Sequence, residues 1–105
     1  MILSVKQSTL KNKRYMAIFR KEDGTERIYH FGYKSPSGSY GYTYIDGATE
    51  SARENYRKRH LGNATEKQLI DSLTPSAAIF SYYLLWGNSR DLQKNITYLN
   101  NLLRK

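Results

Sequence analysis

Asp23-Gly24 stands between two runs that both read as strands, and this constrains the chain more than any other feature. Arg14-Tyr15-Met16-Ala17-Ile18-Phe19-Arg20 leads in, and Thr25-Glu26-Arg27-Ile28-Tyr29-His30-Phe31 leads out. Both are rich in β-branched and aromatic residues, which suit a pleated, half-buried surface. An Asp-Gly pair tolerates positive φ, which a type I′ turn requires at both central residues. The expectation is an antiparallel hairpin closed by a type I′ turn. Which of its faces is buried stays open, because Tyr15, Ala17 and Phe19 alternate with the equally apolar Met16 and Ile18. Ile2 to Lys6 is short and partly β-branched, a weaker candidate for a third strand.

The second half has a different period. Asp46 or Thr49 can cap a helix in which Ala48, Ala52, Tyr56 and His60 share one face, with Arg53 and Arg57 beside it. Gly62 is its expected stop. Thr65-Glu66-Lys67-Gln68 fits a capping box that opens a short helix through Leu69, Ile70 and Leu73. Thr74-Pro75 then reads as a cap followed by proline at the first helical position. The helix it opens, Ser76 to Trp86, is apolar nearly all round, so it is the expected central element. Its apolar run is half of the ~20 residues a bilayer helix needs. Trp86 is expected in the core against Phe80, Leu84, Leu85 and the last helix; a Trp beside Gly87 at a helix end also suits a half-exposed position. Asn88 or Ser89 starts the last helix, where Leu92, Ile96, Leu99 and Leu103 form one narrow stripe. The predicted fold class is α+β, an N-terminal antiparallel hairpin or three-stranded sheet followed by three or four packed helices. All of 1–105 is one expected domain, with a β-rich basic half at 1–45 and a helical half at 46–105.

Charge narrows the function classes. The 105 residues carry 17 Lys and Arg against 9 Asp and Glu, a formal net charge of +8. Twelve of the basic and six of the acidic residues fall within positions 1–60, so the excess is concentrated there. Such a balance favours polyanionic partners through long-range attraction and counterion release. There is no cysteine. Disulfides and thiolate metal sites are therefore excluded, and the pattern is compatible with an intracellular setting. The N-terminus lacks a basic segment followed by a long apolar stretch, so no secretory signal is expected.

Four landmarks stand in order along the chain: Tyr29-His30-Phe31-Gly32, Tyr42-Thr43-Tyr44-Ile45-Asp46-Gly47, Tyr56-Arg57-Lys58-Arg59-His60 and Leu84-Leu85-Trp86-Gly87. None is a catalytic or phosphate-cradling signature. Their order resembles that of a family of short, basic proteins, without established activity, of nucleocytoplasmic large DNA viruses: the iridovirus, phycodnavirus and giant-virus relatives. Members carry a Lys-rich hairpin and then His-Phe-Gly, matching His30, Phe31 and Gly32. A Tyr-Thr pair with a downstream Asp matches Tyr42, Thr43 and Asp46. Arg and Tyr before Arg-His match Arg53, Tyr56, Arg59 and His60, and a Leu-Trp helix end before a short helix matches Leu84, Leu85, Trp86 and Leu92. The resemblance runs from about Lys13 to Tyr98. The chain departs from it at Tyr44 and Ile45, where the family often places a His, and at Leu61-Gly62-Asn63-Ala64, where the family tends to be acidic with a Trp. The resemblance implies a viral protein of the infected cell, with packaging in the virion as its extension. It implies no chemistry.

The residues themselves point to binding rather than catalysis. His30 and His60 are the only histidines. A zinc site would need both, plus carboxylates such as Asp46 and Glu50, and the spacing matches no standard metal pattern. Neither a metal nor a cofactor is expected. Glu22, Asp23 and Glu26 surround a hairpin tip, and Asp46, Glu50 and Glu54 flank a helix start, where solvation, the helix dipole and ion pairing account for them. No phosphate loop is present. The expectation is a non-enzymatic, virion-associated protein that binds polyanion, DNA above all, without strong sequence preference. Lys11, Lys13, Arg14, Arg27, Lys34, Arg53, Arg57, Lys58 and Arg59 are its candidate phosphate contacts. The alternative is a minor capsid-associated or scaffold protein. Its contacts would be Tyr40, Tyr42 and Tyr44, the last helix, and a basic face set against acidic capsid surfaces. The protein is expected inside the cell, neither secreted nor in a membrane, and no feature specifies an oligomeric state.

Overall fold

The computed structural model describes residues 1–104. An antiparallel sheet of β1 (Ile2–Gln7), β2 (Lys13–Arg20) and β3 (Glu26–Tyr33) is ordered β1-β2-β3. After it come a 3-10 turn at Tyr44–Asp46 and, among the described residues, four helices: α1 (Glu50–Leu61), α2 (Ala64–Asp71), α3 (Ala77–Phe80) and α4 (Leu92–Leu103). The fold class is α+β as expected, and Ile2 to Gln7 does form the third strand.

The hairpin is present, but its turn differs from expectation. Gly24 has φ +87°, whereas Asp23 does not enter the positive region. The Gly24 amide donates to the Lys21 carbonyl at 3.0 Å, and the Lys21 amide donates to the Thr25 carbonyl at 2.8 Å. This is a three-residue loop with one left-handed glycine, not a two-residue I′ turn. The Asp23 carboxylate bonds forward to the Thr25 amide at 2.9 Å and hydroxyl at 2.6 Å, which favours the longer loop. A Cβ at Gly24 would meet nothing within 4 Å, so any cost there comes from φ alone. Gly24→Val is expected to lose about 1–2 kcal/mol in urea unfolding. An unchanged midpoint would show that this turn is not held left-handed.

The face left open by sequence is settled by packing. Ala17, Phe19 and Phe31 are buried, with Tyr15 and Tyr29 packed beside them. Phe80 from α3 enters this aromatic set, with ring centroids 5.7 Å from Phe31, 5.4 Å from Tyr29 and 6.2 Å from Phe19. Ile79, Leu84, Leu85, Ile96 and Leu99 complete the core with Ile2. Ile28 lies on the opposite face and is 56 % exposed. His30 shares that face, its Nδ1 2.7 Å from the Ser8 hydroxyl.

Three expected helix starts are displaced. Thr49 caps α1, accepting from the Ala52 amide at 3.1 Å, while Asp46 is used elsewhere. Asn63, not Thr65, caps α2, and Ser76, not Thr74-Pro75, caps α3. Asp91, not Asn88 or Ser89, caps α4 through the Lys94 amide at 3.1 Å. The reason for the last is Asn95, buried at 1 % exposure on the core side of α4. Its side chain donates to the Leu84 and Ser89 carbonyls at 3.0 and 2.8 Å and accepts from the Ser89 amide at 3.0 Å, pinning residues 86–90 outside the helix.

The expected central helix does not run regularly to Trp86. Ser81–Leu85 is a π turn, and the Trp86 amide donates to the Ser81 carbonyl at 3.2 Å. The wider turn rotates the residues beyond it about the axis. Trp86 is consequently half-buried and stacks on Tyr56 of α1, with centroids 4.5 Å apart and planes 10° apart, instead of entering the core against α4.

Candidate nucleic-acid interface

Helix α1 buries no residue, yet it is firmly held. A polar helix of this kind needs directed bonds. Arg53 Nε donates to the Gly87 carbonyl at 2.7 Å and its terminal nitrogen to the Asn88 side chain at 2.7 Å. Arg57 Nε donates to the Trp86 carbonyl at 3.0 Å. These arginines supply partners to carbonyls that the end of the π turn leaves without helical donors. Burial lowers the Arg57 pKa from its ordinary value, and the guanidinium lies 4.3 Å from the Tyr82 ring centroid. Arg90 works in the same way, bonding the Tyr44 and Ala48 carbonyls at 3.2 and 2.6 Å.

Arg14 is spent inside the fold as well. It is 9 % exposed and makes two 2.7 Å bonds to the Asp46 carboxylate, tying β2 to the 3-10 turn. The Arg14 hydrogen bonds, with help from the Thr43 hydroxyl and amide, hold the Asp46 carboxyl down at about 2. Gly32, at φ +82°, leaves the room that this needs. A Cβ there would stand 3.1 Å from the Arg14 Cβ and 3.2 Å from Leu85 Cδ1.

The nine candidate phosphate contacts do not form one continuous patch. Arg14, Arg53 and Arg57 are internal braces, because their donors face carbonyls and a carboxylate that burial would otherwise leave unpaired. Arg27 pairs with Phe19 near the hairpin tip, among Glu22, Asp23 and Glu26. It lies seven residues along the chain from Lys34, or about 23 Å at strand rise. Lys58 is exposed on α1. Lys11, Lys13 and Lys34 do come together at the other end of the sheet: Lys13 pairs with Tyr33, and the Lys34 amide donates to the Asn12 carbonyl at 3.3 Å.

Of the expected contact tyrosines, Tyr42 is 68 % and Tyr40 46 % exposed. Tyr44 is not a contact. It is 8 % exposed, with Arg90 and Arg53 guanidinium carbons 4.1 and 5.5 Å from its ring centroid. Tyr40, Tyr42 and Tyr44 sit at alternate positions, which suits one aromatic face of an extended segment, but the 3-10 turn that begins at Tyr44 breaks that period.

Beside this basic end lies a cleft of ≈ 280 Å³ lined by Tyr33, Tyr42 and Thr43 from the sheet end and loop, by Tyr56, Arg59 and His60 from α1, and by Ser81, Leu85 and Trp86 from the π turn, with Arg14, Gly32 and Gly41. Members of all four sequence landmarks thus converge here. His30 does not, lying on the other sheet face. Tyr56 sits between Trp86 and His60, whose ring centroid is 4.0 Å away. Burial, with the nearby Glu66 carboxylate, pushes the Tyr56 hydroxyl up to about 12. His60 Nδ1 pairs with Glu66. Sequence reasoning did not select Glu66, because it read as part of a capping box. Asn95 was also missed, although an Asn one turn after Leu92 and next to Ile96 is a legible polar intrusion on an apolar stripe. Among the described residues no group of three or more potential metal ligands gathers, and no helix is long and apolar enough to cross a membrane.

Residues 3–60 match the family of unknown function DUF5754. The chain is also 37% identical, over 86 residues, to the uncharacterised protein L851 of Acanthamoeba polyphaga mimivirus, with 80% of each chain covered. No solved structure matches. Kinship with a giant-virus protein agrees with the coarse part of the resemblance drawn from the landmarks. Since the family match spans more than half of the chain, including the hairpin, the Tyr-rich loop and all of α1 up to His60, the chain belongs to the family DUF5754.

Proposed function

We propose that this is a viral, virion-associated protein that acts without catalysis by holding DNA with little regard to sequence. The observation that carries the reading is the end of the sheet where Lys11, Lys13 and Lys34 come together by the exposed Tyr33 and Tyr40, beside the cleft that Tyr33, Tyr42 and Arg59 line. Among the described residues none of these four cations makes an ion pair. Asp46 and Glu66, the carboxylates bonded to residues of the cleft, are engaged by Arg14 and His60. The hairpin acids lie at the far end. Unpaired cations attract phosphate, and tyrosine faces accept bases or bond phosphate oxygens.

Four phosphate contacts give an expected slope of about −3 to −4 in log affinity against log salt. Replacing Lys13 and Lys34 with Glu is expected to weaken binding equally across DNA sequences and to flatten that slope by about 2. Fluorescence anisotropy over a salt series measures both. No binding at low salt would remove the reading.

A second reading has its own observation. The sheet face away from the helices exposes Ile28 at 56 %, and Leu3, at 43 %, lines a separate hollow with Leu73, Pro75, Leu102 and Leu103. A minor capsid or scaffold protein would use such apolar area, and its binding to capsid protein would change little with salt.

A further inference from the structure

The ten tyrosines are unequally used. Eight stack on another ring or lie under a cation. Tyr33 and Tyr42, among the described residues, do neither. They are also the most exposed large hydrophobic residues, at 64 % and 68 %, and both line the one ≈ 280 Å³ cleft. Large aromatic rings left open at a concave site are ready to stack on a flat ligand.

The charge of the cleft selects the ligand further. Arg59 lines it, and no carboxylate does. The Asp46 carboxylate is bonded to Arg14 and the Glu66 carboxylate to the His60 ring. Arg59 has its guanidinium carbon 5.8 Å from the Tyr56 ring centroid and no acidic partner among the described residues. A flat ring with an attached anion meets both halves of this lining. That is the chemistry of a nucleotide.

We propose that the cleft takes one unpaired nucleotide, its base against Tyr33 and Tyr42 and its phosphate at Arg59. The proposal deepens the DNA-holding function and rests on it. A base inside a duplex is covered on both faces and must be extruded before it can stack on protein. The protein is therefore a reader of single strands, gaps or frayed ends rather than of continuous duplex. Sequence tolerance is a consequence, because every base has a face to stack.

Trp86 is the only tryptophan and lines the same cleft, so its emission reports occupancy directly. The test titrates the protein with oligo(dT), duplex DNA of equal length, dTMP and inorganic phosphate. Oligo(dT) is expected to shift Trp86 emission and to bind at least about 10-fold tighter than duplex, which leaves the emission unchanged. A matching shift from dTMP assigns a free nucleotide as an occupant; a shift from oligo(dT) alone assigns the strand. The double variant Tyr33→Ala/Tyr42→Ala is expected to lose roughly 10- to 100-fold in oligo(dT) affinity, whereas Tyr33→Phe/Tyr42→Phe retains it. Both rings are solvent-exposed, and an unchanged unfolding midpoint confirms that each variant folds. Duplex bound as tightly as oligo(dT), with Trp86 silent, overturns the nucleotide cleft and leaves the polyanion function standing. A shift produced equally by inorganic phosphate overturns the stacking half. Absence of binding to every DNA removes the proposed function together with this inference.

Discussion

Alanine at Gly87 is expected to lower stability by about 3–4 kcal/mol, near the upper end for a small-to-large change. The argument is one of space. An ideal Cβ would stand 2.1 Å from the Tyr83 carbonyl oxygen and 2.8 Å from Asn95 Cγ. The first neighbour is backbone of the π turn. The second is the buried amide that pins residues 86–90, and displacing it would unpair buried groups at about 1–3 kcal/mol each. The loop cannot lift away freely, because Arg53 holds the Gly87 carbonyl from the other side at 2.7 Å. Gly87 is not among the glycines with positive φ, so backbone conformation plays no part. Urea unfolding should show a lower midpoint at unchanged m. Gly41→Ala is the control: a Cβ there meets nothing within 4 Å, and stability should stay within about 0.5 kcal/mol. Parental stability in Gly87→Ala would mean that the arginine and asparagine contacts do not hold this loop.

Loss of Arg14 is the second large effect. Arg14→Met should cost about 2–3 kcal/mol, below the full range for a buried pair because the Asp46 side chain is 24% exposed. The same pair carries a pH signature. Asp46 is held at about 2, below its ordinary 3.8, chiefly by its hydrogen bonds to Arg14. A depressed carboxyl stabilises the fold above its unfolded pKa, and that contribution disappears as pH falls through the folded value. The screened contribution is about 1–2 kcal/mol, present at pH 5 and lost toward pH 2. Thermal unfolding of the parent and Asp46→Asn should therefore differ at pH 5 and converge toward pH 2. Parallel curves across this range would show that the ion pair adds nothing to stability.

Much of the fold was legible because its signals are local. Alternating β-branched and aromatic residues around Asp23-Gly24 announce two strands whatever packs on them. The stretch from Ala77, apolar nearly all round, places a helix against those strands. The turn type differs from a two-residue I′ turn because Asp23 bonds forward to Thr25 and lengthens the loop. Trp86 departs from the position that ideal helical periodicity predicts because a π turn precedes it. Nothing local distinguishes Ser81–Leu85 from an ordinary helix end; the register changes because Asn95 and two α1 arginines hold residues 86–90.

The site divides in the same way. Sequence alone established the cationic excess, the tyrosine-rich loop and the order of the landmarks, because these are counts and positions along one chain. It could not say which cations remain available. Arg14, Arg53 and Arg57 look equivalent to Lys13, Lys34 and Arg59 until their distant partners are known: Asp46 lies 32 positions from Arg14, Gly87 34 from Arg53 and Trp86 29 from Arg57. Only the tertiary structure decides which arginines brace the fold and which basic groups stay free around Tyr33 and Tyr42. The physical reason is that a guanidinium is directed by buried acceptors brought to it through folding, and such acceptors leave no mark in its own sequence neighbourhood.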